Sequence, residues 1–409
     1  MKRVVITGIS AITALGNCWD SFKVALEKGE NAVVNMPEWR KVSGLNTNLA
    51  APVPLYQTPK HYKRKQIRSM GKVSIMATQV TEEALTQAGL LGSERLTSGD
   101  IGISYGSCMG SPEPIPAFGD LLKDNNMDGL TATSYIKMMA HTTPVNVGIF
   151  FGLKGRTITT SSACTSSSQG LGYAYEAIKF GKQKAMVAGG AEELCLSSVA
   201  VFDTLFATSL KNELPNTTPR PFDNKRDGLV IGEGACTFIL EDLEYAQARG
   251  ATILAELVGF GTNADGKHVT QPTAETMERA MRLALDDAQL SPEDIGYVNA
   301  HGTSTEKGDI AESLATHSIF GEIPISSLKS YLGHTLGACG AIEAWASINM
   351  MTDNWFAPTL NLESIDSDCA PLDYIQGQAR TLKTNYVMSN NFAFGGINTS
   401  LIFKRWQGL

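Results

Sequence analysis

Cys164 sits in SSACTSS (Ser161–Ser167), a run of small residues, most of them hydroxylated. The chain then turns amphipathic: Leu171, Ala174, Tyr175 and Ile178 share one helical face, and Gly181 stands where a C-terminal glycine would. The thiol therefore falls at or just before the first turn of a helix. Unpaired backbone N–H groups at that position favour a thiolate, lower the thiol pKa and can hold a developing oxyanion. His301 lies in NAHGTSTEKGDIAE, at the end of a strand-like segment, the edge at which open α/β sheets bind ligands. Lys329 and His334 share the loop of SSLKSYLGHTLGACGAIEAW, ahead of an apolar helix whose one carboxylate is Glu343. A buried carboxylate there needs a partner, either Lys329 or a bound cation. In NNFAFGGINTS, Gly395 and Gly396 let the backbone turn sharply beside a ligand. One sulfur and two imidazoles in separate strand–helix loops fit acyl transfer through a thioester. Helix-spaced zinc ligands are missing, as are a GxxxxGK[ST] phosphate loop and a clean GxGxxG after a strand.

The elements that must position these loops come in similar pairs. Val73, Met76, Ala77, Val80 and Ala84 follow helical spacing, as do Met277, Ala280, Met281, Ala284 and Ala288. Each helix leads into a similar strand, DIGISYGSC and DIGYVNAHG. Two strand–loop–helix units follow, from Ile158 and from Ile325, and then KAMVAGGAEE and YVMSNNFAFGG. The pairing predicts two α/β halves of common ancestry, residues 1–250 and 251–409, the first carrying an insert over about 109–156.

The bulk numbers suit a large packed α/β body. Of 409 residues, 43% are hydrophobic and 18% charged, and the net charge of −7 argues against a protein whose whole surface binds nucleic acid. Seven scattered cysteines without a CxxC pair suggest neither a disulfide framework nor a zinc knuckle, and a reducing cytoplasm is the simplest home. The opening MKRVVITGISAITALG reads as a strand and turn rather than a signal peptide, and no apolar run approaches the ~20 residues of a membrane span.

SSACTSS, HGTSTEKGD, KSYLGHTLGACG and NNFAFGG, in this order and with the opening VVITGISAITALG, resemble the β-ketoacyl-acyl-carrier-protein synthases of the elongating Cys–His–His type. The resemblance runs over essentially the whole chain. It implies the thiolase fold, two duplicated halves in a five-layer α/β/α/β/α arrangement, usually as a homodimer. It implies decarboxylative condensation of an acyl chain with malonyl-acyl-carrier protein, without a cofactor. Cys164 matches the nucleophile, His301 and His334 the pair that binds the malonyl thioester carbonyl, and Lys329 the lysine that supports the site electrostatically. The backbone N–H groups of Cys164 and Phe394 match the oxyanion hole, and Phe394 also the gating aromatic. Thr303 and Thr305 match threonines that bond the pantetheine arm, with Thr270 and His268 lining its entrance. Met109, Met138, Met139 and Phe392 are expected at the acyl pocket. Asn299, Glu343, Ser389 and Asn390 fall where some members hold a structural monovalent cation.

Acyl-carrier protein is acidic, so a local basic patch is expected on this acidic chain. TPKHYKRKQIRSM supplies Lys60, Lys63, Arg64, Lys65 and Arg68 without an acid among them. The sequence departs from the family where Ala393 stands before the gating aromatic in place of the commoner glycine. Fatty-acid elongation is the first reading of the pathway. A dedicated polyketide or aryl polyene synthase is the second. A non-catalytic chain-length subunit is disfavoured, because Cys164 and both histidines are present.

Overall fold

The computed structural model describes residues 1–408. The elements that matter here are, in chain order, β1 (Val4–Ile12), α1 (Lys72–Gln87), β2 (Ile101–Gly106), β3 (Thr157–Thr159), α2 (Ser166–Lys179), β4 (Ala185–Glu192) and β5 (Gly234–Asp242). They continue with β6 (Ala255–Ala264), α3 (Ala274–Ala288), β7 (Tyr297–Asn299), α4 (Glu306–Phe320), β8 (Pro324–Ser326), α5 (Cys339–Asp353), β9 (Asp373–Tyr374), β10 (Tyr386–Ala393) and β11 (Ile397–Arg405).

Eleven strands form one mixed sheet in the order β9-β8-β7-β10-β11-β6-β1-β5-β4-β2-β3. Within residues 1–250 the order is third, second, fourth, fifth, first strand. Residues 251–409 repeat that order, with β9 added at the edge. Val4–Ile6 of β1 pair with Ala255–Leu257 of β6 and so join the two parts. The strands adjacent to each loop of interest are parallel, β2 with β3 and β4, β7 with β8 and β10. Within each of these two sets the C-terminal ends therefore open on one side, as parallel α/β sheets require.

Helices pack in five layers with the sheet. α1 covers β1 and β5 on one outer face, α3 covers β6 and β11 on the other with α4 beside it, and α2 and α5 lie between the two parts. This position explains their composition. α5 has buried residues along almost its whole length, including Trp345, Ile348 and Met350, and cannot be amphipathic because both of its sides face protein. The 109–156 segment contributes helices Ile115–Asp124, Ser134–Met138 and Thr142–Phe151, the last packed on α1 and β2. No helix among the described residues is long and apolar enough to cross a membrane.

Candidate active site

Cys164 lies in the single turn Ala163–Thr165 that leads into α2, and Ala163 takes the left-handed φ of +51° there. A non-glycine residue in that conformation is strained. The turn delivers the sulfur into the space between the two parts of the molecule, where it is 4% exposed. His334 Nε2 lies 3.0 Å from it. The His301 and His334 rings stand almost perpendicular, 86° apart in plane, with centroids 5.2 Å apart. Three loops distant in sequence thus meet at one point, as the residue types predicted.

The imidazoles are held by backbone. His334 donates its N–H to Val230 O at 2.7 Å, and its own carbonyl accepts from Gly232 at 2.9 Å, so a short segment of the first part carries this loop of the second. The Leu336 N–H donates to His334 Nδ1 at 3.2 Å. Nδ1 is therefore the acceptor and Nε2 carries the proton, aimed at the sulfur. His301 is fixed through Glu312, whose two oxygens accept the N–H groups of His301 and Gly302 at 2.7 Å each. Asp309, one turn earlier on α4, accepts from Phe222 and Ser304, with Arg226 3.6 Å away. Neither acid was assigned a task from sequence. Their spacing of three on the first turns of a helix, just behind a loop, is the signal that marks them.

Burial sets the electrostatics. It pushes both imidazole pKa values well below the ordinary histidine range, the Lys329 charge adding to the effect at each, so both rings are neutral N–H donors. The Cys164 thiol is pushed up to about 11 by burial. Lys329 and the backbone N–H groups of Phe394 and of Cys164 itself pull it down, but they do not win. The expected lowering of the thiol is thus reversed: the favourable dipoles are present, and the dry surroundings outweigh them.

Lys329 is hydrogen-bonded to Glu343, and both are at most 3% exposed as side chains. Burial opposes the charge of Lys329, Glu343 outweighs it, and the ammonium is retained. Asn391 donates to the other Glu343 oxygen at 2.8 Å. Asn299 Nδ2 meets Ser389 Oγ at 3.3 Å, and Asn299 Oδ1 is buried without a partner among the described residues. Asn390 points its side chain to the opposite face of β10, toward Met281 and Ser400.

Cys164, His301, His334, His268, Thr270, Thr303, Thr305, Phe392 and Phe394 line one cavity of about 330 Å³. Thr303 and Thr305 share a 2.8 Å hydroxyl bond at its wall. The Phe394 ring stacks on Phe202 at 5.2 Å. Phe392 stands on the opposite side, 6.2 Å from the His301 ring and in one core cluster with Met277 and Met281. Met109 is not part of the cavity wall; its sulfur meets Ser197 Oγ at 3.9 Å. Met138 and Met139 are half-buried, their carbonyls crowding Gly110. Lys60, Lys63, Arg64, Lys65 and Arg68 are all exposed, around the short helix Arg64–Ile67, and no acidic group among the described residues lies within ion-pair distance of them.

Comparison with known proteins agrees over the full length. The family model "Beta-ketoacyl synthase, N-terminal domain" matches residues 1–246, and "Beta-ketoacyl synthase, C-terminal domain" matches 254–363. The chain is 35% identical to 3-oxoacyl-[acyl-carrier-protein] synthase 1 of Haemophilus influenzae, over all of both chains. The crystal structure of a β-ketoacyl synthase from Burkholderia phymatum superimposes with a TM-score of 0.98 at 61% identity, covering all of both chains. A type II polyketide ketosynthase bound to a hexaketide, AntDE, in complex with its acyl-carrier protein AntF, aligns at a TM-score of 0.88 and 29% identity over 99% of this chain and all of that one. With two family models spanning most of its residues and a relative matched from end to end, the chain belongs to the β-ketoacyl synthase family.

Proposed function

We propose that the protein condenses an acyl chain, carried on Cys164, with malonyl-acyl-carrier protein to give β-ketoacyl-acyl-carrier protein and CO2. The observation that carries this reading is the convergence at one sulfur: Nε2 of His334 at 3.0 Å and a second neutral imidazole beside it. Acylation replaces the carrier thioester by a Cys164 thioester, the departing carrier thiol taking the proton. The malonyl group then loses its carboxylate as CO2, and the electron pair moves into an enolate whose oxygen rests on the N–H donors of His301 and His334. The enolate carbon attacks the acyl carbonyl. That attack forms the C–C bond, the resulting oxyanion is held by the Cys164 and Phe394 N–H groups, and its collapse re-forms the carbonyl and expels the Cys164 thiolate.

Around this centre, Lys329 supplies a fixed positive charge that keeps the imidazoles neutral and favours the departing thiolate. Thr303 and Thr305 hydrogen-bond the pantetheine arm, His268 and Thr270 flank its entrance, and Phe394 with Phe202 closes the way to the acyl pocket. The buried, unpartnered Asn299 Oδ1, with Glu343 and Ser389, suits a structural monovalent cation. The exposed cations of residues 60–68 dock acyl-carrier protein. Two halves divide near residue 250, the enzyme acts as a homodimer, and with all seven cysteines free its home is the cytoplasm. Fatty-acid elongation is favoured by the likeness to 3-oxoacyl-[acyl-carrier-protein] synthase 1, and polyketide extension by the likeness to the polyketide ketosynthase.

Incubation with acyl- and malonyl-acyl-carrier protein tests the reading. β-Ketoacyl product and CO2 are expected. Cys164→Ala abolishes condensation, and Cys164→Gln retains malonyl decarboxylation. Condensation by the alanine variant refutes the assigned nucleophile. Product length after repeated turnover separates the two pathways.

A further inference from the structure

Glu192, the last residue of β4, is a buried carboxylate that the chemistry above does not use. No cationic side chain among the described residues lies within ion-pair distance of it. An uncompensated buried carboxylate is costly and is kept only where hydrogen bonds hold it. Its bonds are specific. Oε2 accepts the Cys108 N–H at 2.7 Å and the Gly337 N–H at 3.1 Å, while Oε1 accepts from Ser107 Oγ at 3.1 Å. Burial lifts the carboxyl to about 7, and the Cys108 and Gly337 N–H groups with Ser107 resist that rise.

The carboxylate clamps two loops from different halves of the chain. Ser107–Gly110 follow β2, and Cys108 belongs to the apolar cluster that also holds Phe202, Leu336 and Phe394. Gly337 follows Leu336, whose N–H fixes the His334 tautomer. Leu336 has φ +47°, a left-handed conformation that a leucine keeps only when its surroundings impose it. Residue 337 is glycine for a matching reason: a Cβ there would lie 2.6 Å from Glu192 Oε2 and 2.8 Å from the Cys108 nitrogen. The turn is pressed against the carboxylate and held by it.

We propose that Glu192 is a positioning residue that locks the Leu336–Gly337 turn against the Ser107–Gly110 loop and thereby aims the His334 Nε2–H at the malonyl carbonyl. The inference rests on the condensation reading. It predicts that Glu192 matters to the malonyl half-reaction and not to the number of acylatable sites. Glutamine can keep one oxygen on both N–H groups and donate its amide to Ser107. Alanine removes all three bonds.

The test combines acylation with decarboxylation. Glu192→Ala and Glu192→Gln are made in the Cys164 protein and in the Cys164→Gln protein. In the first, one acyl group per chain is expected to load for both. In the second, alanine is expected to lower kcat for malonyl-acyl-carrier protein decarboxylation at least tenfold with KM within twofold, and glutamine to stay within threefold of its parent. Decarboxylation by the alanine variant within twofold of its parent overturns the proposal. So does a glutamine variant as slow as alanine, or a raised KM at unchanged kcat. Should the alanine variant fail to fold by circular dichroism, Glu192→Asp, one methylene short of the two N–H groups, is expected to show the same kcat loss, and parental kcat in it overturns the proposal. Failure of the parent Cys164→Gln protein to decarboxylate strikes the condensation reading, and is recognised by its independence of residue 192.

Discussion

Single side chains here work in a protonation state that burial enforces. His301 and His334 are neutral here, and protonation of the His334 ring would remove the Nδ1 acceptor that the Leu336 N–H uses; a pKa held well below the ordinary 6.5 extends the neutral state into mild acid. The decarboxylation rate of Cys164→Gln is therefore expected to show no acid limb near pH 6.5; the fall begins well below it. A bell-shaped profile with an acid limb at 6.5 contradicts the neutral-donor assignment. The unfolded chain protonates its histidines near 6.5 while the native one does not, so these two residues also lower native stability as pH falls through that value. The nucleophile and the imidazoles were legible in the sequence because their neighbours are small, glycine-rich and out of keeping with core packing. The direction of the Cys164 shift was not, since it depends on how much protein closes over the turn. Glu192 was equally hidden: at the end of KAMVAGGAEE it reads as the polar close of a strand, and its partners come from residues 107, 108 and 337.

At the scale of elements, helix α5 and the loop before it are pinned by one buried ion pair. Removing a single member of such a pair leaves an unpaired charge and costs about 3–5 kcal/mol. Lys329→Met is expected to destabilise the protein by that order in urea denaturation, with Glu343→Leu in the same chain restoring much of the loss. A stability unchanged in the single variant would show that water reaches Glu343. The matched pairs noted in the sequence, β2 with β7, β3 with β8, β4 with β10, α1 with α3 and α2 with α5, occupy equivalent places in the two strand orders. The antiparallel strands β5, β6 and β11 escaped that reading. Gly234–Asp242 is buried at every position, so it carries no alternation to distinguish a strand from an interior helix. The bridge from Val230–Gly232 to His334 was likewise invisible, because it joins loops about a hundred residues apart.

For the molecule as a whole, charge is distributed against its own average. The net is −7, yet five exposed cations crowd residues 60–68. Charge reversal at Lys65 and Arg68 is expected to raise KM for acyl-carrier protein several-fold at low salt, with kcat retained and the difference shrinking as ionic strength rises. Unchanged kinetics at low salt would remove the docking role. The seam between β1 and β6 has a consequence for synthesis. Among the described residues, the nine-residue strand β1 finds its sheet neighbours in Gly234–Asp242 and Ala255–Ala264. It must wait, apolar and unpaired, until those later strands have emerged, so the nascent chain cannot close its centre before then, and β1 is the stretch most in need of chaperone cover.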